Sequence, residues 1–371
     1  MMTFARVLGV LSVVALIHLS SATCDCGYTV NTTSDSSFAL FMYLFETDFV
    51  HMYDVTRWIG WRRQEYNVSF DLAHGTFGMA KKISNVIANP VNNHSAWSGE
   101  TENGGDAGLQ LWVRAGNHGN LISSAEMSAV DRDMLYGSYR VSMKMTGTAG
   151  TCGAFFWFHN NSQEIDLEML SRQFNATHHP INLVIHTPLS ASNNYDANGT
   201  PTFRPYSLPF DPTLDFHEYR FDVLPDRISF YADGNWLHDM TEGIPTQAGH
   251  IMLNHWSTGN PLWSGGPPNE DAVMTVRYVK AYFNSTIWDN RYARYRERCA
   301  PGTAARNLTC AVPLKGWEGY EPGRSYFFTQ EDVVAIQVVS AVWAIYEAFR
   351  VAHKMSSDPV VPEFMQGLGD Q

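Results

Sequence analysis

Beyond the first two dozen residues and up to residue 283, short stretches alternate polar and apolar side chains with a period of two, separated by clusters of Gly, Asn, Asp and Pro. Successive side chains of a strand point to opposite faces, so this pattern specifies half-buried strands that need a core on one side only. Residues 108–114, 139–145 and 218–223 show it. So does 227–232, which runs into Asp233-Gly234 and then Asn235-Trp236-Leu237. Asp-Gly tolerates the two positive φ angles of a tight hairpin turn, so a strand pair is expected there. Residues 272–283 form a long last strand. Few segments carry a helical period. This many strands over about 250 residues predicts an all-β sandwich or jelly roll of two packed antiparallel sheets.

The ends differ from this middle. Arg6, the apolar run 7–17 and the small residues Ser20-Ser21-Ala22 read as a removable export signal over 1–22, too short to span a bilayer comfortably. Export predicts glycan acceptors, and Asn-x-Ser/Thr occurs at Asn31, Asn67, Asn93, Asn160, Asn175, Asn198, Asn284 and Asn307. It also predicts disulfides. The five cysteines, Cys24, Cys26, Cys152, Cys299 and Cys310, allow at most two bonds. Cys299–Cys310 is the easiest local loop to close, with Cys152 or no partner left for Cys24 or Cys26. Their spacing fits no zinc motif. The expected organisation is a catalytic domain over 23–286, an irregular Cys-containing extension over 287–328, and a helix with a polar tail over 329–371. Residues 333–350 suit a helix that docks on a partner; membrane attachment through 329–354 is the weaker reading. A secreted monomer, extracellular or in a cell wall, is expected.

The sharpest local feature lies at 164–170. Glu164, Asp166 and Glu168 alternate with Ile165, Leu167 and Met169, which on a strand puts three carboxylates on one face. Such a triplet would arise by chance roughly 0.4 times in a chain of this acidity, so spacing alone is weak. Like charges at neighbouring same-face positions repel, however, and an ordinary solvated face mixes signs. An aromatic-rich stretch, 155–158, precedes them. Residues four apart on a strand are about 13 Å apart at Cα. Two glutamates leaning together over a twisted sheet can approach the roughly 5–5.5 Å carboxyl separation of a retaining glycosidase. The shorter Asp166 between them can tune a neighbour, and crowding raises at least one pKa, keeping an acid protonated for the leaving group.

Glu164-Ile165-Asp166-Leu167-Glu168 resembles the E-x-D-x-E signature of glycoside hydrolase family 16. Residues 136–141, 216–221, 228–234, 254–259 and 278–282, with Trp263, resemble its flanking segments, so the likeness covers about 35–285. Asp222-Val223 departs from it, because many members have Trp after the acid. The resemblance implies a concanavalin-like β-jelly roll with a glucan groove and a retaining double displacement. Carried over by position, Glu164 is the nucleophile, Asp166 the helper and Glu168 the general acid/base.

Trp256 and Trp263 lie in a Gly/Pro/Ser-rich region and are candidates for sugar stacking. Trp157 is a candidate groove wall, with core packing as the alternative. His186 points into the cleft if its strand neighbours the carboxylate strand. His217 is a candidate partner of substrate or carboxylate, or a structural histidine. Arg140 and Glu126 read as ion-pair partners. The chemistry needs no cofactor or catalytic metal, and leaves room for a structural calcium. A net charge of −12 repels nucleic acid and suits a neutral polysaccharide such as β-glucan. Endo-hydrolysis of β-1,3- or mixed β-1,3/1,4-glucan leads, with transglycosylation, non-catalytic carbohydrate binding and a cell-wall structural role as alternatives.

Overall fold

The computed structural model describes residues 24–32, 38–56, 60–193, 195–286, 293, 295–297, 299, 308–314 and 325–330. The chain divides into two compact units, 1–324 and 325–371. Of the second, 328–330 form a helical turn where the sequence predicts a helix to begin; the rest of that helix lies outside the described residues, as does the expected export signal.

Two sheets make the first unit, as the alternation requires. One runs in the order β14 (Phe203–Ser207), β13 (Pro180–His186), β12 (Gln163–Leu170), β11 (Cys152–Asn160), β18 (His250–Trp256), β9 (Leu121–Ala129), β6 (Gly78–Lys81) and β5 (Tyr66–Val68), with β4 (Trp61–Arg63) also on β9. The other runs β17 (Asn235–Met240), β16 (Ile228–Ala232), β15 (His217–Val223), β10 (Gly137–Lys144), β19 (Ala272–Phe283), β8 (Gly108–Val113) and β7 (Val86–Asn89), with β3 (Tyr43–Asp48) on β19. Within these two sheets pairing is antiparallel except β6 with β9. The β16–β17 hairpin turns through Asp233 at φ 48° and Gly234 at φ 73°, the positive pair that Asp-Gly tolerates.

Apolar positions of both sheets meet in one core. Ile165, Leu167 and Met169 of β12 join Phe155 and Trp157 of β11, Ile251 and Leu253 of β18, and Val141 and Val279 from the facing sheet, all fully buried. Each such side chain contributes roughly 1.5–3 kcal/mol by leaving water. Burial of Ile165, Leu167 and Met169 forces the residues that alternate with them, Glu164, Asp166 and Glu168, onto the outer face.

The disulfides correct the expectation from sequence proximity. Cys24 bonds Cys310 and Cys26 bonds Cys299, while Cys152 is a free, buried thiol inside β11. The cause is a third, small sheet of β2 (Phe38–Phe41), β1 (Tyr28–Asn31) and β20 (Cys310–Ala311). There Tyr28 pairs in parallel with Cys310, bringing the two ends of the unit side by side. One bond closes a loop of nearly 300 residues; the second then closes a ring of only ~15 residues, worth about 3 kcal/mol. The stapled ends lie on the sheet away from the carboxylates. Arg140 donates to Pro313 O, Arg220 to Asn31 O, and Tyr231 OH to Thr32 O. Arg140 also faces Glu218 at 3.8 Å, the ion pair read for it.

Candidate active site

The register explains which side chains share the outer face of the nine-stranded sheet. Glu164, Asp166 and Glu168 sit opposite Phe158, Phe156 and Ala154 of β11. On the other side, Glu164 pairs with His186 and Glu168 with Asn182 of β13. Across β11, Phe156, Ala154 and Cys152 pair with Met252, Asn254 and Trp256 of β18. All of these alternate with core residues, so one parity rule delivers the face.

Two cavities open on it. The first, about 540 Å³, is lined by Glu168, Gln173, Asn182, Phe203, Trp256 and Trp263 among others. The second, about 400 Å³, is lined by Glu164, Asp166, Glu168, Lys81, Glu126 and Asn254 among others. Glu168 borders both; Glu164 borders the second only. Glu164 and Glu168 keep part of their surface open, whereas Asp166 between them is buried at 4% exposure.

Hydrogen bonds hold the last acid at both oxygens. Trp263 Nε1 donates to Glu168 Oε2 at 3.0 Å, and Cys152 Sγ donates to Oε1 at 3.4 Å. Trp263 is posted there by Arg172, just past the end of β12, whose guanidinium grips the carbonyls of Leu262 and Trp263. Asp166 and Glu164 hydrogen-bond each other, and His186 Nε2 lies 3.7 Å from Asp166 Oδ2. Burial holds His186 neutral, its pKa pushed down to about 4.

Crowding and burial move all three acids in one direction. Burial pushes Glu164 up to about 8, against the bond from Asp166, with help from the charges of Glu168 and Glu126. Burial raises Glu168 to about 7, tempered by the Cys152 and Trp263 donors. Asp166 is raised as well, by burial and then by the charges of Glu164 and Glu168. The three titrate as one system, and a pH profile would report apparent values of the cluster.

This has a stability consequence. An acid whose folded pKa lies above its unfolded one keeps its proton when the unfolded chain has lost it. Folding stability therefore falls as pH rises from about 4.5 to about 8. Glutamine does not titrate, so Glu164→Gln is expected to stabilise the protein, by on the order of 2 kcal/mol at pH 8 after allowing for solvent screening, and by little at pH 5. Denaturant melts at the two pH values measure it; a gain equal at both would show that this carboxyl is not shifted.

Of the residues singled out from sequence, Glu164, Asp166, Glu168, His186, Trp256 and Trp263 come together on this face. Two do not. Trp157 is fully buried in the core with Nε1 donating to Met134 O, because it has the parity of Phe155 and not of Phe156. His217 lies on β15 in the other sheet, stacked on Phe210 at 3.5 Å and bonded to Asp233 Oδ2 at 2.7 Å.

Sequence reading missed a polar group beside Glu164. Lys81 is 1% exposed, donates to Asn254 Oδ1 at 2.6 Å and lies 3.5 Å from Glu126. Glu126 also accepts from Tyr66 OH at 2.8 Å and from Asn254 at 3.1 Å. Its ion pair was legible as a type, its place in the cleft was not. Asn254 was within reach, since it stands two residues before Trp256 on one strand face; nothing local marks Lys81 or Tyr66. Among the described residues no cluster of three or more His, Cys, Asp and Glu is arranged to hold a metal ion.

The sequence profile described as "Glycosyl hydrolases family 16" matches residues 89–280. A β-glucanase of Acetivibrio thermocellus is 32% identical over 167 residues, 42% of this chain and 45% of that protein. A β-glucanase of Bacillus subtilis is 32% identical over 156 residues, 39% and 59% of the two chains. The chain thus spans about half the length of the curated relatives it matches. Among solved structures, a β-1,3-1,4-glucanase (lichenase) from a mouse hindgut metagenome superposes with TM-score 0.46 at 22% identity, over 64% of this chain and 98% of that one. An endo-β-1,3-glucanase from Pyrococcus furiosus gives 0.49 at 20%, over 67% and 96%.

Proposed function

Because the chain belongs to glycosyl hydrolase family 16, we propose that it is a retaining, endo-acting hydrolase of β-1,3- or mixed β-1,3/1,4-glucan. The observation that carries this reading is the pair of half-open glutamates flanking a buried aspartate on one strand face, at the junction of two cavities. The β-glucanase relatives support the substrate class.

The cavities support one direction for the cleft. A nucleophile touches the anomeric carbon of the sugar that stays, whereas the acid must reach the bridging oxygen between two sugars. Glu164 borders only the 400 Å³ cavity, which therefore takes the retained glycosyl unit; Glu168 borders both and faces the bond. Glu164 attacks, Glu168 protonates the leaving oxygen, and Glu168 then takes a proton from water as water opens the glycosyl–enzyme bond. Asp166 donates to Glu164 and so favours its ionised form. Both glutamates are held above the usual carboxylate range, so the division of roles between them rests on position.

Transglycosylation is the second reading, favoured by the larger 540 Å³ cavity on the leaving side, where an acceptor sugar would replace water. Product masses from β-1,3- and mixed-linkage oligosaccharides distinguish the two: shorter products mean hydrolysis, longer ones transfer. Newly formed ends must appear first in the β configuration by NMR; an α product would sink the retaining mechanism. Two disulfides joining the ends of the first unit support an extracellular location.

A further inference from the structure

His74 and Tyr195 come from opposite edges of the carboxylate sheet. His74 sits in the connection between β5 and β6 at one edge, and Tyr195 in the connection between β13 and β14 at the other. Yet their rings lie 5.5 Å apart, centroid to centroid. β12, β11, β18 and β9 run between those edges, so the two connections meet over the face that carries the acids. Both residues line both cavities, and Tyr195 also sets its edge against His186 at 6.1 Å.

The backbone at both tips is unusual. His74 has φ 49° and Tyr195 φ 62°, the left-handed region that glycine favours and large side chains avoid. Each connection has a fixed base. Phe77 N donates to Thr258 O and Thr76 to Gly259 O on one side; Tyr195 N donates to Ser190 O on the other. At the tips, Tyr195 OH accepts from Asn161 Nδ2 at 3.0 Å and its ring meets His186, His74 O accepts from Asn260 Nδ2 at 3.0 Å, and the two tips meet each other through the ring contact. Two strained residues on firm bases, meeting through one aromatic contact, make a span that opens at modest cost; such a contact biases an equilibrium about tenfold at most.

We infer that His74 and Tyr195 form a bridge across the cleft that sets its preference for chain length. The inference rests on the proposed β-glucan cleft and concerns which glucans enter it. A short oligosaccharide slides end-first beneath the closed bridge. An internal segment of a long chain has no end to thread, so the bridge must part before the segment reaches Glu164 and Glu168, and the apparent affinity for polymer falls by the fraction of time the bridge is closed.

Tyr195→Gly and His74→Gly test this, because glycine accepts the observed φ angles and keeps the connections foldable. The readout is the ratio of kcat/KM on soluble high-mass β-glucan to kcat/KM on a β-glucan pentasaccharide. The ratio is expected to rise about 5- to 10-fold in either variant, and no further in the double variant, since both changes remove one contact. A ratio within twofold of wild type, with both substrates still turned over, overturns the bridge. An equal loss on both substrates also overturns it, by making the rings ordinary sugar contacts. Wild type without turnover of either glucan would instead bring down the proposed function on which the inference stands.

Discussion

Glu164→Gln is expected to lower β-glucan turnover roughly 10⁴-fold or more, with KM little changed. The amide has the shape of the carboxyl but no negative charge, so its oxygen is too weak a nucleophile and the first displacement is lost. The same substitution removes one of three crowded acids from a buried face, and the protein should gain stability as it loses activity. Initial rates on β-1,3- and mixed-linkage glucan, read beside the melts at pH 5 and pH 8, check both effects. A variant that melts like wild type and still retains a tenth of the wild-type rate would exclude Glu164 as nucleophile.

Glu168→Gln is expected to cost about 10²- to 10⁴-fold on glucan, the usual range for a general acid/base. Its signature is a dependence on the leaving group. An aryl β-glucoside whose phenol departs without protonation bypasses the first role of Glu168, so glycosylation proceeds while hydrolysis of the intermediate, which needs the base, stalls. A burst of phenol and a glycosyl adduct on Glu164, seen by intact mass, follow. Glu164→Gln gives neither. If both variants lose the aryl substrate equally, with no burst in Glu168→Gln, the division of roles between the two glutamates is wrong.

The site was readable to the extent that it obeys strand parity. Glu164, Asp166 and Glu168 could be placed on one face because Ile165, Leu167 and Met169 between them had to be buried. Trp157 shows how narrow that rule is. Its aromatic neighbours Phe156 and Phe158 face the cleft, and one residue of offset turns the largest ring of the stretch into core. His217 failed for a different reason. Its segment was read correctly as a strand, but parity says nothing about which sheet a strand joins, and β15 joins the sheet without the acids.

The disulfides repeat this on a larger scale. Loop closure is easiest between near neighbours, which favours Cys299–Cys310. The parallel pairing of β1 with β20 nevertheless sets residues more than 270 apart side by side.

By itself, then, the sequence determined the all-β class, the strands read at 139–145, 218–223, 227–232 and 272–283 to within two residues of their observed bounds, the turn at Asp233-Gly234, and the shared face of the three acids. Each follows from interactions between residues a few positions apart, where backbone geometry alone fixes which way a side chain points. Strand order, the meeting of Lys81, Glu126 and Asn254 beside Glu164, the Cys152 thiol against Glu168, and the contact of His74 with Tyr195 were decided only by the tertiary structure. They join side chains far apart in the chain, and which distant strands become neighbours depends on how the whole set of apolar faces packs into one core.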